Sequence, residues 1–554
     1  MKAKSYWYPK TCAVIAASVL LSSGAVVFAA ETTPKAGDVL RDTRQTERQI
    51  PERKAPNVTV EQTIKPPLEA DKSLAVFVKS YRFSGQDVIA AEQLAGLLTN
   101  YTAKDMNLAS LQQAADVIAR HFQQQGYFVA QAYLPQQDIS EGVVEIAVII
   151  GRYGDLIIKN QTRVSDAVIR QQLRTLKPGA YIQTDQMERA ALLAGDLTGV
   201  TVKTTLTPGK TPGTADVIVD VTPKGKDWQG MLSYDNYGSR LTGYRKATTN
   251  LSYNNPFRAG DKLSGTFTRT DNNQDTGDLT YQIPLAEGSN LTLRYSKVNY
   301  DLGEEYAGQG FSGTAYTKHA DWTYALRRSR NANQYLQVGY DHKRLEDINT
   351  SETDNAVSRM VSLGLSGDAG DDLWGGGANA YSLMYYSGTT SSNVGAHGSW
   401  EKYTYSFMRQ QNINGKLTAF LSISGQRATE NLDGSEKFSL GGPYGVRAYP
   451  VSEGAGDEGY LTTAELRYTV PVREKGAMWQ FSAFYDRGVS IIDKTSNDEG
   501  NRRVVSGMGL GVQYAKPADY AIRATYAWRI GSNESQADSH FGKSRLWLQA
   551  VKFF

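Results

Sequence analysis

From Trp228 to Phe554 the chain runs in short segments whose apolar or aromatic residues take every second place. They are Gly230 to Tyr237, Ala247 to Tyr253, Lys262 to Thr270, Asp278 to Ile283, Leu291 to Val298, Ala320 to Arg327 and Gln334 to His342, with Ser, Thr, Asn, Lys and Arg at the alternate places. A period of two sends successive side chains to opposite faces of a strand, so one face can meet lipid and the other water. After residue 29 there is no run of about 18 apolar residues, so no transmembrane helix is predicted. Hydrocarbon cannot satisfy open backbone groups, so such a chain crosses a membrane only as a closed barrel. At about ten residues per strand, residues 225–554 hold about 16 antiparallel strands. A soluble β-sandwich, the competing reading, does not usually extend so far.

Composition agrees. The 33 Tyr and 52 Gly against 17 Pro, with 40% hydrophobic residues that are rarely contiguous, suit aromatic girdles better than one large soluble core. A formal net charge of +3 gives no support to nucleic-acid binding. Five histidines without ligand-like spacing predict no metal site. There is no Gly-x-Ser-x-Gly elbow, Walker loop or His-Glu-x-x-His, so neither an enzyme nor a cofactor is expected. The acid pairs Glu304-Glu305 and Asp371-Asp372 read as solvated loop residues, although an enzyme set in a barrel is an alternative.

Residues 1–29 place Lys2, Lys4 and Lys10 before an apolar run from Ala13 to Leu21 and end in Val27-Phe28-Ala29. That is the layout of a cleavable secretory signal, the alternative being a retained anchor. The only cysteine, Cys12, lies inside it, which leaves the mature chain without thiol chemistry in an oxidising compartment. Residues 30–50 hold a helix candidate from Ala36 to Gln49, about four turns long and mostly polar, with Leu40, Arg41, Arg44, Glu47 and Arg48. A helix polar all round has little to bury in a globular core but suits a wet lumen. Residues 51–73 are punctuated by Pro51, Pro56, Pro66 and Pro67. A disordered leader is the alternative for both stretches.

Residues 74–151 then change character. A strand-like run through Val76, Val78, Tyr81 and Phe83 is followed by helices at Ala90 to Leu98 and Ser110 to Gln125, then strands at Tyr127 to Leu134 and Val143 to Ile150. The order recurs in residues 152–224. Leu156 to Lys159 is a strand, Ser165 and Asp185 are N-caps for two helices, and Val200 to Leu206 with Ala215 to Val221 make a closing pair.

The most specific residues lie late in the chain. Gly441-Gly442-Pro443-Tyr444-Gly445-Val446-Arg447-Ala448-Tyr449 is followed by Phe484-Tyr485-Asp486-Arg487-Gly488. These segments resemble the signature loop and facing barrel strand of the two-partner secretion (TpsB) outer-membrane transporters. The tandem units, with Gly126 to Gln136 as a characteristic stretch, resemble polypeptide-transport-associated (POTRA) domains, and Asn255 to Asp261 resembles an early periplasmic hairpin of the same barrel. Phe554, ending an amphipathic strand, resembles the signal read by the barrel-assembly machinery, although Lys552 interrupts its apolar register. The resemblance implies a membrane β-barrel preceded by two α+β POTRA domains and an N-terminal plug helix. It implies that Gly441, Gly442, Val446, Arg447 and Tyr449 form the tip of a sixth extracellular loop folded into the lumen. Arg447 then meets Asp486 on a wall strand shared with Phe484 and Gly488. The family motif has Gly where this chain has Ala448.

The expected function is an outer-membrane pore that recognises and secretes an unfolded TpsA-type exoprotein: an adhesin, haemolysin or contact-dependent toxin. The remaining expected partners are outer-membrane lipid and, during biogenesis, the assembly machinery. A barrel-assembly insertase of the same superfamily is the first alternative, and a porin or adhesive barrel the second.

Overall fold

The computed structural model describes residues 33–554 apart from 48, 52–53, 61–74, 140, 351, 394 and 475. The expected signal segment 1–29, Arg48, Pro66 and Pro67 lie outside the described residues. The chain opens with α1 (Ala36–Thr43) and β1 (Val58–Val60). A first α+β unit holds β2 (Ala75–Val78), β3 (Ser80–Ser84), α2 (Ala91–Leu97), β4 (Lys104–Asn107), α3 (Leu108–Gln124), β5 (Gln131–Tyr133) and β6 (Val143–Ile149). A second holds β7 (Arg152–Asn160), α4 (Asp166–Gln172), α5 (Thr184–Gly195), β8 (Val200–Pro208) and β9 (Thr214–Pro223).

Sixteen strands follow. The first eight are β10 (Trp228–Asp235), β11 (Lys246–Asn254), β12 (Lys262–Thr270), β13 (Asp275–Ala286), β14 (Ser289–Asp301), β15 (Ser312–Arg328), β16 (Ala332–Ile348) and β17 (Thr353–Asp371). The last eight are β18 (Gly377–Ser392), β19 (Gly398–Asn414), β20 (Leu417–Ala428), β21 (Glu458–Pro471), β22 (Met478–Ile491), β23 (Arg502–Lys516), β24 (Tyr520–Arg529) and β25 (Ser544–Phe553). All neighbours are antiparallel, and β10 closes on β25 from Met231 to Asp235, so the sheet has no free edge.

The barrel is inverted relative to a soluble core. On β17 Val361 and Leu363 face outward and exposed, whereas Ser358 and Ser362 are buried inward. Among the described residues no helix is long and apolar enough to cross a membrane. The strands are longer than expected where the wall rises above the apolar band: β17 has 19 residues and β15 and β16 have 17 each. Alternation sets the face a residue takes and says nothing of where pairing stops.

In the first unit the strand-like run divides. β2 pairs with β4, while β3 runs parallel to β6 in a sheet ordered β3-β6-β5. The strand expected from Tyr127 shrinks to Gln131–Tyr133. Leu94, Ala114, Ile118, Phe122 and Ile146 form the core. In the second unit Ser165 caps α4 by accepting from the Val168 amide, as expected. Asp185 does not cap α5: the cap is Gln183, and Asp185 lies in the first turn, where its charge complements the helix dipole.

The second unit packs on the turns after β11, β13 and β15, which marks that rim as periplasmic. The Ser165 amide donates to the Arg258 carbonyl at 3.0 Å, Gln172 Nε2 to the Ala286 carbonyl at 3.2 Å, and Arg330 Nε to Glu188 at 2.6 Å. Asp196 joins three parts, accepting from Arg328 of β15 at 2.7 Å and from Lys54 of the N-terminal segment at 2.8 Å. Burial pushes this carboxyl up, but the two cations outweigh it and hold it below the ordinary carboxylate range. A depressed folded value contributes stability above the unfolded pKa of about 3.9, lost as pH falls through the folded value. Contact between the second unit and the barrel is therefore expected to hold from neutral pH down to about 4 and to loosen only below it. Cross-linking Glu188 and Arg330 positions, each changed to Cys, across a pH series checks this, and Asp196→Asn should loosen the contact at neutral pH and remove its pH dependence.

The N-terminal segment threads the lumen. α1 has 8 residues, two turns and not four: Arg44 caps it in helical geometry, and the described residues from Gln45 to Asn57 take no regular structure. Nor does it lack a buried face. Ala36, Val39 and Leu40 pack on Val298, Tyr300, Leu302, Ala315 and Leu345, an apolar patch on the extracellular half of the inner wall. Beyond it Glu47 binds Arg523 of β24 at 2.8 Å. The segment then leaves at the periplasmic mouth, where β1 adds in parallel to the β8 edge of the second unit, giving a sheet ordered β1-β8-β9-β7.

Candidate functional site: an inward loop locked to the barrel wall

Residues 429–457 join β20 to β21. This is the sixth connection on the rim opposite the second unit, and it folds back into the barrel. Its doubled-back shape depends on backbone pairing: the Val446 amide donates to the Leu440 carbonyl at 2.7 Å, Gly442 to Tyr449 at 3.1 Å, and Gly441 to Glu453 at 3.2 Å. Gly442 has φ +100, a left-handed conformation that costs a residue with a Cβ. Leu440, Val446, Ala448 and Tyr449 are fully buried against Leu461, Phe484, Val505 and Ala527 of the wall. The wall is cut away to receive them. A Cβ on Gly488 would lie 3.0 Å from Leu440 and 3.2 Å from Val446, and one on Gly507 would lie 2.5 Å from the Ala448 methyl. Gly507 of β23 is thus the space that lets this chain carry Ala448.

At the tip, the Arg447 guanidinium reaches Asp486 of β22 with two bonds, Nε to Oδ2 at 2.9 Å and Nη2 to Oδ1 at 3.0 Å, and the Arg447 amide adds a third at 3.2 Å. Asp486 is fully buried and also accepts from Thr463 Oγ1 at 3.0 Å. The planar fork matches a carboxylate, and its face lies 3.3 Å from the Phe484 ring centroid. Arg447, Asp486, Phe484 and Gly488, expected together from sequence, are together here. Tyr449 donates to the Asn533 carbonyl of the eighth loop at 2.9 Å.

Two partners of Arg447 carry no signal in the motif. Glu465 of β21 binds Nη1 at 2.8 Å, and Trp547 of β25 donates to the Arg447 carbonyl at 2.7 Å. The first was readable in principle, since an inward acid two residues past Thr463 falls opposite Phe484. The second depends on barrel closure. Two further carboxylates pin the loop. Glu453 accepts from Arg503 at 2.9 Å and from the Gln536 and Ala537 amides, and Asp457 accepts from the Leu432 and Lys494 amides. At the loop's entrance Glu436 lies buried between Lys343 and Lys402, 2.7 Å from the latter. The same turn meets the plug: Arg41 Nη1 donates to the Gly434 carbonyl at 3.1 Å, and Asp42 bonds Ser452.

Phe554 lies at the periplasmic seam, exchanging two backbone bonds with Gly230 at 2.9 and 3.0 Å. Lys552, which interrupts the apolar register, pairs with Asp519 of the last periplasmic turn, so its charge sits at the rim. Among the described residues no group of His, Cys, Asp and Glu has the arrangement of a metal site. The loop and the N-terminal segment leave a polar lumenal cavity of about 330 Å³, lined by Glu47, Arg447, Arg467, Gln513 and Arg523.

A closed sixteen-stranded barrel with apolar residues outside, soluble α+β units on one rim and a loop locked inside defines an outer-membrane polypeptide transporter. Residues 213–514 match the family model described as haemolysin secretion/activation protein ShlB/FhaC/HecB, and residues 76–151 match the ShlB-type POTRA domain. The chain belongs to the ShlB/FhaC/HecB haemolysin secretion/activation family, the TpsB transporters of two-partner secretion. It is 26% identical over 492 residues to the heme/hemopexin transporter protein HuxB of Haemophilus influenzae, covering 85% of each chain. It is 22% identical to the outer membrane transporter CdiB of Dickeya dadantii, covering 79% of this chain and 80% of that one. Among solved structures, CdiB from Escherichia coli superposes with a TM-score of 0.72 at 18% identity over 89% of this chain and 93% of that one. BamA from Haemophilus ducreyi gives 0.53 at 16% identity over 87% of this chain and all of that one. The protein is an outer-membrane transporter, with its POTRA units in the periplasm, that works with a secreted TpsA-type exoprotein.

Proposed function

We propose that the exoprotein is taken up unfolded at the strand edges of the POTRA units, residues 74–151 and 152–224, and passes outward through the lumen that the plug region 30–50, joined to those units by the linker 51–73, would vacate. The observation that carries this reading is β1. The edge of β8 already holds an extended segment, with the Thr204 amide donating to the Asn57 carbonyl at 2.8 Å. Backbone bonds of this kind accept a strand with little regard to its side chains, which suits an unfolded client. Threading needs the plug to leave, and folding of the client outside supplies the drive where no nucleotide is available. Loop residues Gly441, Gly442, Val446, Arg447 and Tyr449, held to Phe484, Asp486 and Gly488, shape the path, and Phe554 serves as the assembly signal.

The cargo is a large β-helical adhesin, haemolysin, contact-dependent toxin or haem-scavenging protein, classes suggested by the family description and the relatives' names. Its gene is expected beside this one. The decisive experiment is export of that partner by cells whose transporter lacks residues 75–223. Loss of export with the barrel still inserted and heat-modifiable is expected, and undiminished export would defeat the mechanism.

A further inference from the structure

The outer wall carries a charge pattern that secretion does not use. On the lipid-facing side of β15, β16 and β17, Lys318, His342 and Arg359 are direct cross-strand neighbours, Lys318 opposite His342 and His342 opposite Arg359. One step closer to the extracellular rim, Lys297 of β14 and Arg344 of β16 flank Tyr316. Lys318, Arg344 and Arg359 are exposed, and no ion pair or hydrogen bond joins their side chains to another described residue. Glu346 stands on the same face, beyond Arg344, and pairs with none of them.

Cations on the lipid face of a barrel carry a cost, which an anion lying over them would offset. Two adjoining depressions lie beside these cations. One, of about 450 Å³, is bordered by Tyr295, Tyr316, Lys318, His342 and Arg344, with Glu346 at its extracellular end. Immediately below, towards the membrane centre, the small side chain of Ala320 opens an apolar groove of about 390 Å³ between Leu293, Tyr295, Tyr340 and Leu279. A basic shelf above an apolar slot fits an amphiphile with phosphate on its headgroup and acyl chains beneath. The shelf lies on the extracellular side, since β15 and β16 join at the periplasmic rim through residues 329–331.

We propose that this face of β14 to β17 is a binding site for the phosphorylated glycolipid of the outer leaflet, with its phosphates on Lys318, Arg344 and Arg359 and an acyl chain along the Ala320 groove. Bound there, the lipid would neutralise the row and stiffen the wall on which the plug helix rests from inside, through Ala315 and Leu345 of the same strands.

The test uses the full-length protein extracted from outer membranes. Lipopolysaccharide retained per chain is measured for the unaltered protein and for the triple variant Lys318→Gln, Arg344→Gln, Arg359→Gln. Retention is expected to fall about tenfold or more, because charge-assisted contacts to phosphate are lost. In parallel, unaltered protein stripped of lipid is titrated with bisphosphorylated lipid A, dephosphorylated lipid A and inorganic phosphate. Only the first should raise the temperature of the heat-modifiability transition. Equal retention by the variant, or equal stabilisation by dephosphorylated lipid A, would overturn the site, and equal stabilisation by inorganic phosphate would reject the lipid as its occupant. The titration needs no variant, so a triple variant that fails to fold leaves the inference testable.

Discussion

Arg447→Ala is expected to abolish most secretion while leaving a folded barrel. The substitution removes two side-chain bonds to Asp486 and one to Glu465 but does not remove the carboxylates. Glu465 keeps Arg467, at 2.8 Å, whereas Asp486 keeps only neutral donors, Thr463 and the backbone amide of residue 447, and sits with no solvent access. Stranding one member of a buried pair costs about 3–5 kcal/mol. At 1.4 kcal/mol per factor of ten, the balance between locked and unlocked loop shifts by about a hundredfold or more. The barrel is held by sixteen strand pairings elsewhere, so its heat-modifiable mobility should persist, with exported partner reduced about tenfold or more. Arg447→Lys keeps the charge without the two-bond fork and is expected to fall between. Normal export by the alanine variant would remove the loop from the mechanism.

Glu436→Gln should have the second largest effect, on the plug. Lys343 is 1% exposed and Lys402 9% exposed, and both ammonium groups face this one carboxylate. Losing its charge leaves two buried cations repelling each other at the turn that receives Arg41, at a cost of about 3–5 kcal/mol. In planar bilayers the variant should show frequent open-channel current where the unaltered protein is mostly closed. Adding Lys343→Met and Lys402→Met removes the stranded charges and should restore closure, because apolar replacement of a buried ion cluster is often neutral. Unchanged current in a folded Glu436→Gln variant would mean that this turn does not hold the plug.

What the sequence made legible follows from what is periodic or local. Val361 and Leu363 alternate with Ser358 and Ser362, so the barrel's two faces are written in neighbouring residues, and the loop motif is contiguous from Gly441 to Tyr449. Features built by long-range closure left no such trace. β1 is three residues of Val-Thr-Val in a proline-punctuated stretch and becomes a strand only because β8 offers an edge. The α1 helix reads as polar because its few apolar residues, Ala36, Val39 and Leu40, find a matching patch on β14, β15 and β16, far away in the chain. Glu436, Lys343 and Lys402 come from three separate elements, as do Arg447, Glu465 and Trp547. Strand length was misjudged for a related reason: pairing above the bilayer is set by the partner strand and not by alternation.

The central claim is that an extended foreign chain passes through this lumen. A photo-cross-linking residue at Gln513, which lines the cavity beside Arg523 and Glu47, tests it directly when the exoprotein is stalled in transit by a folded C-terminal fusion. Cross-linked adducts of transporter and exoprotein are expected from position 513 and none from Leu421, on the lipid face. Continued export with no adduct at position 513 and adducts at 421 would place the route outside the barrel and contradict the account.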